Sequence, residues 1–318
     1  MNAGSRGVMK RWMPAALTLA LVVTTSGPQP SAAGWAESAP SGSPTQMPDL
    51  TGVEIITHPV AGNVYMLEAT NDVAGNIGVS VGPDGILIID DQFAPLTDQI
   101  SAALAELGSG QLRFILNTHY HEDHADGNEI LSRNGAVIIA HTNTRKRLLH
   151  RPRGHWPVIT FDHEASVHFN GEEIRATWYP NGHTDSDLVF FFTESNVLHL
   201  GDLWNSGTSG FPVVDIEAGG SAMGILEHIE KLIPTVPEDA KIIPGHGPLS
   251  DLVELRSYRD MLEETIELVR RKWESGMTLE QIQREGLQPK YDSWGYGYMD
   301  ADGWIEGIVR SLQLERQR

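Results

Sequence analysis

The sequence predicts a layered α/β domain, and its order of elements is the main reason. Two successive stretches of strands followed by helices run along the 318 residues, which is typical of a layered α/β domain. No internal repeat with a period of about 20–50 residues is present, so a solenoid or propeller is not indicated. Hydrophobic residues make up 40% and charged residues 20% of the chain. This ordinary globular composition excludes a wholly disordered, collagenous or coiled-coil protein.

The first half of the chain is predicted from apolar periodicity and turn residues. Alternating or clustered apolar residues between turn signals predict strands, and helical spacing predicts an amphipathic helix. The predicted elements are strands within 53–69 and 76–90, a helix over 96–107, a strand over 112–118, a helix from about Asp126 and a strand over 136–140.

The second half of the chain is also predicted to contain strands followed by a helix, and its last part is predicted to be helical. Two hairpins are predicted, over 165–179 with a turn at Asn170-Gly171 and over 188–201 with a turn at Ser195-Asn196. A helix over 220–233 and a strand over 241–243 follow. Beyond Gly247 an apolar stripe and a capping-box pattern at Thr278–Gln281 predict helices that pack onto the main domain.

The amino-terminal residues have the pattern of a secretory signal. Residues 1–33 contain three basic and no acidic side chains, a short apolar run and small residues ending at Ala33. The run is too short to span a bilayer, which needs about 20 apolar residues. The predicted organisation is a signal peptide over 1–33, a flexible leader over 34–50, a catalytic domain over 51–250 and a helical extension over 251–318.

Charge and cysteine content restrict the class of partner and the location. The formal net charge is −19, which disfavours nonspecific binding to nucleic acid or to an anionic membrane. The chain has no cysteine, so it has neither a disulfide nor a lipoprotein anchor. We expect a bacterial periplasmic or secreted protein, cleaved near Ala33 and not inserted in the membrane afterwards, that acts on a small molecule.

The strongest functional signal is the run HYHEDH at residues 119–124, directly after the predicted strand 112–118. On an extended backbone the side chains of residues i and i+2 point the same way, so His119 and His121 can hold one cation. Asp123 and His124 lie where the chain turns into a helix, so we expect them to face a second point nearby.

Three further motifs lie where predicted strands end. In each, a glycine lets the backbone turn sharply and leaves a polar residue at the tip of a loop. Imidazole and carboxylate ligands without thiolate suit zinc, and they also suit iron or manganese. The motifs are Asn181-Gly182-His183-Thr184, Leu200-Gly201-Asp202 and Pro244-Gly245-His246-Gly247.

Taken in order, these motifs resemble the metal-binding set of the metallo-β-lactamase superfamily over roughly residues 53–250. The resemblance implies an αββα sandwich with a two-metal site at the edge between its sheets. It also implies two zinc ions per chain, with Asp202 bridging them. The implied ligands are His119, His121 and His183 for the first metal, and Asp123, His124 and His246 for the second.

The activity that this resemblance implies is zinc-dependent hydrolysis by a metal-bridging hydroxide. Zinc lowers the pKa of bound water to roughly 7, so a hydroxide exists at neutral pH without a serine or cysteine nucleophile. The bond cleaved would be an ester, thioester, lactone or amide of a small molecule, with Asp123 as the catalytic residue that orients the hydroxide. Asp90 or Asp91 resembles the carboxylate that orients a ligand histidine, and the sequence leaves this choice open.

Two positions distinguish branches of the superfamily. Class B1 lactamases carry cysteine at the position of Asp202 and commonly lysine at the position of Asn205, so β-lactam hydrolysis is the alternative and not the first choice. A bridging aspartate resembles glyoxalase II, lactonases and phosphodiesterases. Iron-dependent persulfide dioxygenases share a similar histidine and aspartate frame and are the alternative from another class.

The residues that contact substrate are predicted from their position near the ligands. Trp204 and Asn205 follow the bridging aspartate, where loops of the superfamily line the substrate groove. Trp294 belongs to an aromatic, glycine-rich stretch between the predicted helices of the extension. We therefore expect Trp204, Asn205 and Trp294 to bind substrate.

Overall fold

The computed structural model describes residue 1 and residues 47–207, 210–296 and 298–317. The predicted signal sequence beyond Met1, and the leader up to residue 46, lie outside the described residues. Among the residues that are described, no helix has the length and apolar character needed to cross a membrane.

The first sheet follows the chain order β1-β2-β3-β4-β5-β6-β7. Its first four strands pair antiparallel, whereas β4 to β7 pair parallel. The carboxyl ends of β4 and β5 consequently meet at one edge of the sheet. The strands are β1 (Ile55–Ala61), β2 (Val64–Ala69), β3 (Ile77–Gly82), β4 (Gly85–Ile89), β5 (Leu112–Leu116), β6 (Val137–His141) and β7 (Ile159–Phe161).

The second sheet has the order β13-β12-β11-β10-β9-β8. Neighbouring strands in this sheet pair antiparallel, except that β11 and β12 run parallel. Both predicted hairpins are present, and Asn170 and Asn196 have the positive φ that their turns require. The strands are β8 (Glu164–Phe169), β9 (Glu172–Trp178), β10 (Leu188–Phe192), β11 (Val197–His199), β12 (Lys241–Ile243) and β13 (Ser250–Asp251).

The predicted α-helices are present among the described residues, but α4 was not predicted and the start of the helix near the HYHEDH run differs. A helix was expected from about Asp126, but α2 already begins at Glu122 and a separate short helix, α3, follows. Acidic residues in the first turn of α2 favour this early start. The helices are α1 (Thr97–Leu107), α2 (Glu122–Ala125), α3 (Asn128–Leu131), α4 (Thr142–Leu148), α5 (Ala222–Leu232), α6 (Leu252–Glu274), α7 (Leu279–Glu285) and α8 (Ala301–Glu315).

Three apolar clusters define the layers of the sandwich. The central cluster joins residues of both sheets, such as Ile89 and Leu116 from the first and Phe190 from the second. A second cluster packs α1 onto the outer face of the first sheet. A third packs α5, α6 and α8 onto the outer face of the second sheet. The fold is therefore the αββα sandwich implied by the sequence.

The C-terminal helices share the third cluster with the second sheet. Helix α6 begins at the predicted stripe, and Asp251 caps it by accepting hydrogen bonds from the amides of Val253 and Glu254. Thr278 and Gln281 form the predicted capping box at the start of α7. The apolar face of α8 includes the buried Trp304, whose Nε1 donates to Thr265 Oγ1 at 2.9 Å. The helical region is packed through a common core with the sandwich.

Candidate metal centre

All seven predicted ligands come together where loops leave the two sheets. The HYHEDH run follows β5, and His121 is the N-cap residue of α2. His183 lies in the loop between β9 and β10, and Asp202 in a 3-10 turn, Gly201–Leu203, after β11. His246 follows β12. The side chains form three overlapping groups of possible ligands, in which His119, His124 and Asp202 join two groups that share no residue.

The first group, called the histidine cluster below, consists of His119, His121 and His183. His121 Nδ1 lies 3.0 Å from His119 Nε2 and 2.8 Å from His183 Nε2. Tetrahedral ligands about 2.0–2.1 Å from a zinc ion are about 3.3 Å from one another. The two separations from His121 are slightly shorter than this, and the ligand atoms of all three residues lie within 4.8 Å of one another.

The second group, called the carboxylate cluster below, consists of Asp123, His124 and His246. Asp123 Oδ2 lies 3.1 Å from His246 Nε2 and 3.6 Å from His124 Nε2. His124 is completely buried, whereas the side chain of Asp123 is 25% exposed. Asp123 is thus partly accessible to solvent, whereas His124 is not.

Asp202 lies between the two clusters. Its Oδ1 is 3.1 Å from His124 Nε2, and its Oδ2 is 3.7 Å from both His183 Nε2 and His246 Nε2. The carboxylate consequently faces ligands of both groups, which is the placement that a bridging residue needs. Gly245 permits this approach, because a Cβ atom there would lie 2.1 Å from Asp202 Oδ1.

The donor atoms fit divalent cations. His124 Nε2 and Asp202 Oδ1 are buried and make no hydrogen bond of acceptable geometry. Leaving such polar atoms unsatisfied in the interior is costly, and a cation between the clusters would satisfy both. A set of five imidazoles and two carboxylates, without thiolate, has the chemistry of a zinc, iron or manganese site.

Electrostatics differ between the clusters. Burial lowers the pKa of His119 well below its ordinary value and that of His183 to about 4. In the carboxylate cluster burial acts in the same direction on the imidazoles, but the charges of Asp202 and Asp123 outweigh it. They raise the pKa of His124 well above its ordinary value and that of His246 to about 10.

The pKa values of the two carboxylates, Asp123 and Asp202, are lowered. Burial alone would raise the pKa values of Asp123 and Asp202, but the neighbouring imidazoles, above all His124, outweigh it and hold both well below the ordinary value. Without metal, the carboxylate cluster is therefore a set of ion pairs. The histidine cluster instead presents neutral rings at His119 and His183.

The structure resolves the choice between Asp90 and Asp91. Asp90 Oδ2 accepts from His124 Nδ1 at 2.8 Å and from the Thr118 hydroxyl at 2.7 Å. Asp91 Oδ1 instead accepts from the amide of Gly127 at 2.9 Å, and its other oxygen has no partner. Asp90 is thus the carboxylate that orients a candidate ligand, and Asp91 supports the loop that follows α2.

Two acidic residues beside the clusters were not predicted. Asp215 Oδ2 lies 3.0 Å from His121 Nε2, and Asp72 Oδ1 lies 3.6 Å from His246 Nδ1. Asp72 also accepts from the amide of Gly247 at 2.9 Å. Each is distant in sequence from the histidine that it contacts, and neither belongs to a glycine-containing motif. Because no local pattern marks them, only the tertiary structure reveals them.

Trp204, one of the three predicted substrate contacts, lies in the core. Trp204 is only 2% exposed and belongs to the third apolar cluster, where its ring centroid is 6.1 Å from that of Tyr258. Trp204 is therefore a core residue, which corrects its assignment as a substrate contact. A tryptophan next to the bridging aspartate faces either the groove or the core, and the sequence alone does not distinguish these directions.

The role of Asn205 and Trp294 in substrate binding stays a prediction. Asn205 forms an isolated bridge with His246, and its buried Oδ1 has no hydrogen-bond partner. Trp294 is partly buried, and its ring stacks at 6.4 Å from Phe211 and at 6.3 Å from Tyr258. Asn205 thus lies beside a candidate ligand, whereas the ring of Trp294 contacts Tyr258 of α6 and Phe211 in the segment before α5.

The fold and these two clusters define a protein with a candidate metal site where loops leave the two sheets of an αββα sandwich. The sequence model of the metallo-beta-lactamase superfamily matches residues 70–246. This match covers more than half of the chain and includes all seven candidate ligands. The chain belongs to the metallo-β-lactamase superfamily.

Individual relatives are more distant. A hydroxyacylglutathione hydrolase from Prochlorococcus marinus (strain NATL1A) is 27% identical over 179 residues, covering 52% of this chain and 65% of that protein. One from Synechococcus sp. (strain JA-3-3Ab) is 34% identical over 127 residues, covering 39% of this chain and 45% of that protein. The matched region thus spans less than two thirds of either relative.

The structural comparison supports the fold. A metallo-beta-lactamase from Pontibacter korlensis superimposes with a TM-score of 0.59 at 18% identity. The superposition covers 66% of this chain and 99% of that structure. The sandwich is therefore shared almost completely, and residues outside the superposition are additional to it.

Proposed function

We propose that this protein is a two-zinc hydrolase that cleaves an ester, thioester, lactone or amide bond of a small molecule, with a thioester as the first choice. The observation that carries the proposal is the pair of adjoining ligand clusters with Asp202 between them. Membership of the superfamily and the hydroxyacylglutathione hydrolase relatives indicate a metal-dependent hydrolase.

The proposed ligands follow from the geometry of the clusters. His119, His121 and His183 would hold one cation, while Asp123, His124 and His246 would hold the other, with Asp202 shared. Two divalent cations at these positions supply Lewis acidity toward a carbonyl group and an activated water molecule at neutral pH. The imidazole and carboxylate donor set favours zinc, with iron or manganese as the alternatives.

Asp123 is the proposed catalytic residue, on grounds of exposure and charge. Its side chain is 25% exposed, compared with 8% for Asp202, so it is the more accessible of the two carboxylates to a bound substrate. Burial would raise the pKa of Asp123, but the charges of His124 and His246 outweigh this effect and hold the pKa low. Asp123 is therefore ionised at neutral pH. An ionised carboxylate that is partly exposed can accept a hydrogen bond from a water molecule and so orient it.

The thioester is preferred because of two separate lines of support. The matched sequence relatives are named hydroxyacylglutathione hydrolases, and the substrate of such an enzyme is a thioester. In addition, the bridging position holds aspartate rather than the cysteine of class B1 lactamases. Hydrolysis of a β-lactam and iron-dependent persulfide oxidation are the alternatives that an experiment must separate.

A substrate panel tests the proposal. The metal-free full chain is loaded with zinc, and hydrolysis of S-acylglutathione, an aryl ester, a lactone and a chromogenic cephalosporin is measured beside His121→Ala and Asp202→Ala. We expect zinc-dependent turnover, greatest with the thioester, that both variants lose. Oxygen consumption by an iron-loaded sample with a persulfide substrate, without hydrolysis by the zinc-loaded one, would contradict the proposal.

A further inference from the structure

Asp215 lies outside the histidine cluster and contacts its central residue, His121. The residue lies between the 3-10 turn Gly201–Leu203 and helix α5. Its Oδ2 accepts a hydrogen bond from His121 Nε2 at 3.0 Å and another from the Tyr120 hydroxyl at 2.5 Å. One carboxylate oxygen therefore contacts two adjacent residues of the HYHEDH run.

His121 is turned differently from its two partners in the cluster. His119 and His183 present Nε2 to the common point, whereas His121 presents Nδ1. An imidazole that offers Nδ1 to a cation must carry its proton on Nε2. Asp215 lies where that proton is, so it can select both the tautomer and the angle of the ring.

The backbone around Asp215 also fixes His183. His183 Nδ1 donates to the carbonyl oxygen of Val213 at 2.8 Å, which leaves Nε2 free to face the cluster. The Asp215 amide donates to the carbonyl oxygen of His183 at 3.0 Å. The segment 213–215 thus contacts two of the three histidines, one through a side chain and one through the backbone.

The charge and orientation of Asp215 are themselves supported. Burial would raise its pKa, but hydrogen bonds from His121 and Tyr120 outweigh this effect and keep the pKa well below the ordinary value. The guanidinium of Arg147 lies 5.0 Å from the ring centroid of Tyr120. Arg147 also makes two hydrogen bonds to Asp185, at 2.7 and 2.8 Å, so its position over the ring is fixed.

We propose that Asp215 is a positioning residue of the metal centre, which fixes His121 with Nδ1 directed toward the metal and is itself oriented by Tyr120. The inference rests on the proposed function, because it concerns a metal held by the histidine cluster. It adds a residue outside the predicted ligand set. Since Asp215 acts through His121, its loss should first be visible in metal affinity and in the ligand field of the bound ion.

The experiment compares Asp215→Ala, Asp215→Asn and Tyr120→Phe with a matched control in the same segment, Glu217→Gln. Glu217 makes an ion pair with Arg310 on α8, and its replacement leaves Asp215 and its two donors in place. Zinc affinity is measured by chelator competition, the visible spectrum is recorded with cobalt(II), and the thermal unfolding temperature of each metal-free variant is determined. All measurements use the full chain.

Loss of an outer partner of a ligand histidine typically weakens metal binding by about 10–100-fold. We expect a loss in this range for Asp215→Ala, together with a shifted cobalt spectrum. Smaller losses are expected for Asp215→Asn, which keeps an acceptor oxygen, and for Tyr120→Phe, which keeps the carboxylate. Glu217→Gln should match the wild type in affinity and in spectrum.

Contrary outcomes separate this inference from the proposed function. Wild-type zinc affinity and cobalt spectrum in Asp215→Ala, with only a lower unfolding temperature, would show a purely structural role and overturn the inference. If the alanine variant does not fold, unchanged affinity and spectrum in Asp215→Asn overturn it equally. A wild-type protein that binds no zinc would instead overturn the proposed function on which the inference depends.

Discussion

Asp90 Oδ2 lies 2.8 Å from His124 Nδ1, and both side chains are completely buried. The same oxygen accepts from the Thr118 hydroxyl, and Thr118 Oγ1 is 3.0 Å from His119 Nδ1. A single carboxylate thus supports one histidine of the carboxylate cluster directly and one of the histidine cluster through Thr118. Both rings are left with Nε2 facing the metal centre.

This arrangement predicts unequal effects for two neighbouring substitutions. Asp90→Asn should weaken zinc binding by about 10–100-fold, because the amide is a weaker acceptor for His124 Nδ1. Asp91→Asn is the matched control, since burial and the charge of Asp90 raise the pKa of Asp91 well above its ordinary value, and Asp91 contacts the Gly127 amide rather than a candidate ligand. Chelator competition on both variants measures the difference, and equal losses would contradict the assignment of Asp90.

Zinc binding should release protons mainly at the carboxylate cluster. Without metal, the neighbouring carboxylates raise the pKa of His246 to about 10, so this ring is protonated at pH 7, and they favour the protonated form of His124. A cation must displace these protons, so the affinity of this cluster should rise steeply with pH. The pKa of His183, about 4, and the low pKa of His119 mean that these rings are already neutral.

The histidine cluster should therefore fill first near pH 7. Calorimetric titration of the metal-free protein in buffers of different ionisation enthalpy counts the protons released with each equivalent of zinc. We expect more protons to be released with the second equivalent than with the first. Equal release for both equivalents, or an affinity for the second that does not change between pH 6 and 8, would contradict this electrostatic account.

His199 should make folding stability depend on pH. Burial lowers its pKa to about 4, and both ring nitrogens are used in the neutral form. Nδ1 accepts from the amide of Gly201 at 3.2 Å, and Nε2 faces the carbonyl oxygen of Asn76 at 3.2 Å. Because the folded pKa lies below the ordinary value of 6.5, this stability is present above pH 6.5 and is lost as the pH falls toward 4.

Urea unfolding of the metal-free protein at pH 7.5 and pH 5 measures this effect. The free energy of unfolding of the wild type should fall by about 2 kcal/mol more than that of His199→Gln over this interval. The exposed His168, replaced in His168→Gln, is the control and should leave the wild-type difference unchanged. Parallel losses in the wild type and in His199→Gln would show that His199 does not titrate in this range.

Trp204→Leu tests the placement of this side chain in the core. Removing a large buried ring should lower the free energy of unfolding by about 2–4 kcal/mol, because the remaining side chains do not fill the cavity. The KM of the folded variant should stay within about twofold of the wild type, since the ring does not reach the groove. Denaturant unfolding and steady-state kinetics check both values, and a raised KM with unchanged stability would restore Trp204 as a substrate contact.

The sequence was sufficient to predict which seven side chains come together, because each candidate ligand belongs to a short motif at the end of a strand. The backbone geometry of β5 and α2 brings His119 through His124 together locally. The supporting residues are different, since Asp215 and Asp72 reach their histidines only through tertiary contacts. Sequence spacing carries no information about such contacts, and it also did not show that Trp204 faces the helices.

The most direct test of the two-cluster hydrolase is the rate of thioester hydrolysis as a function of bound zinc. The metal-free full chain is titrated with zinc while S-acylglutathione hydrolysis and metal content are followed together. We expect no turnover without metal, a maximum at two zinc ions per chain and no recovery in His121→Ala or Asp202→Ala. Full turnover in the metal-free protein, or a wild-type rate in either variant, would contradict this expectation.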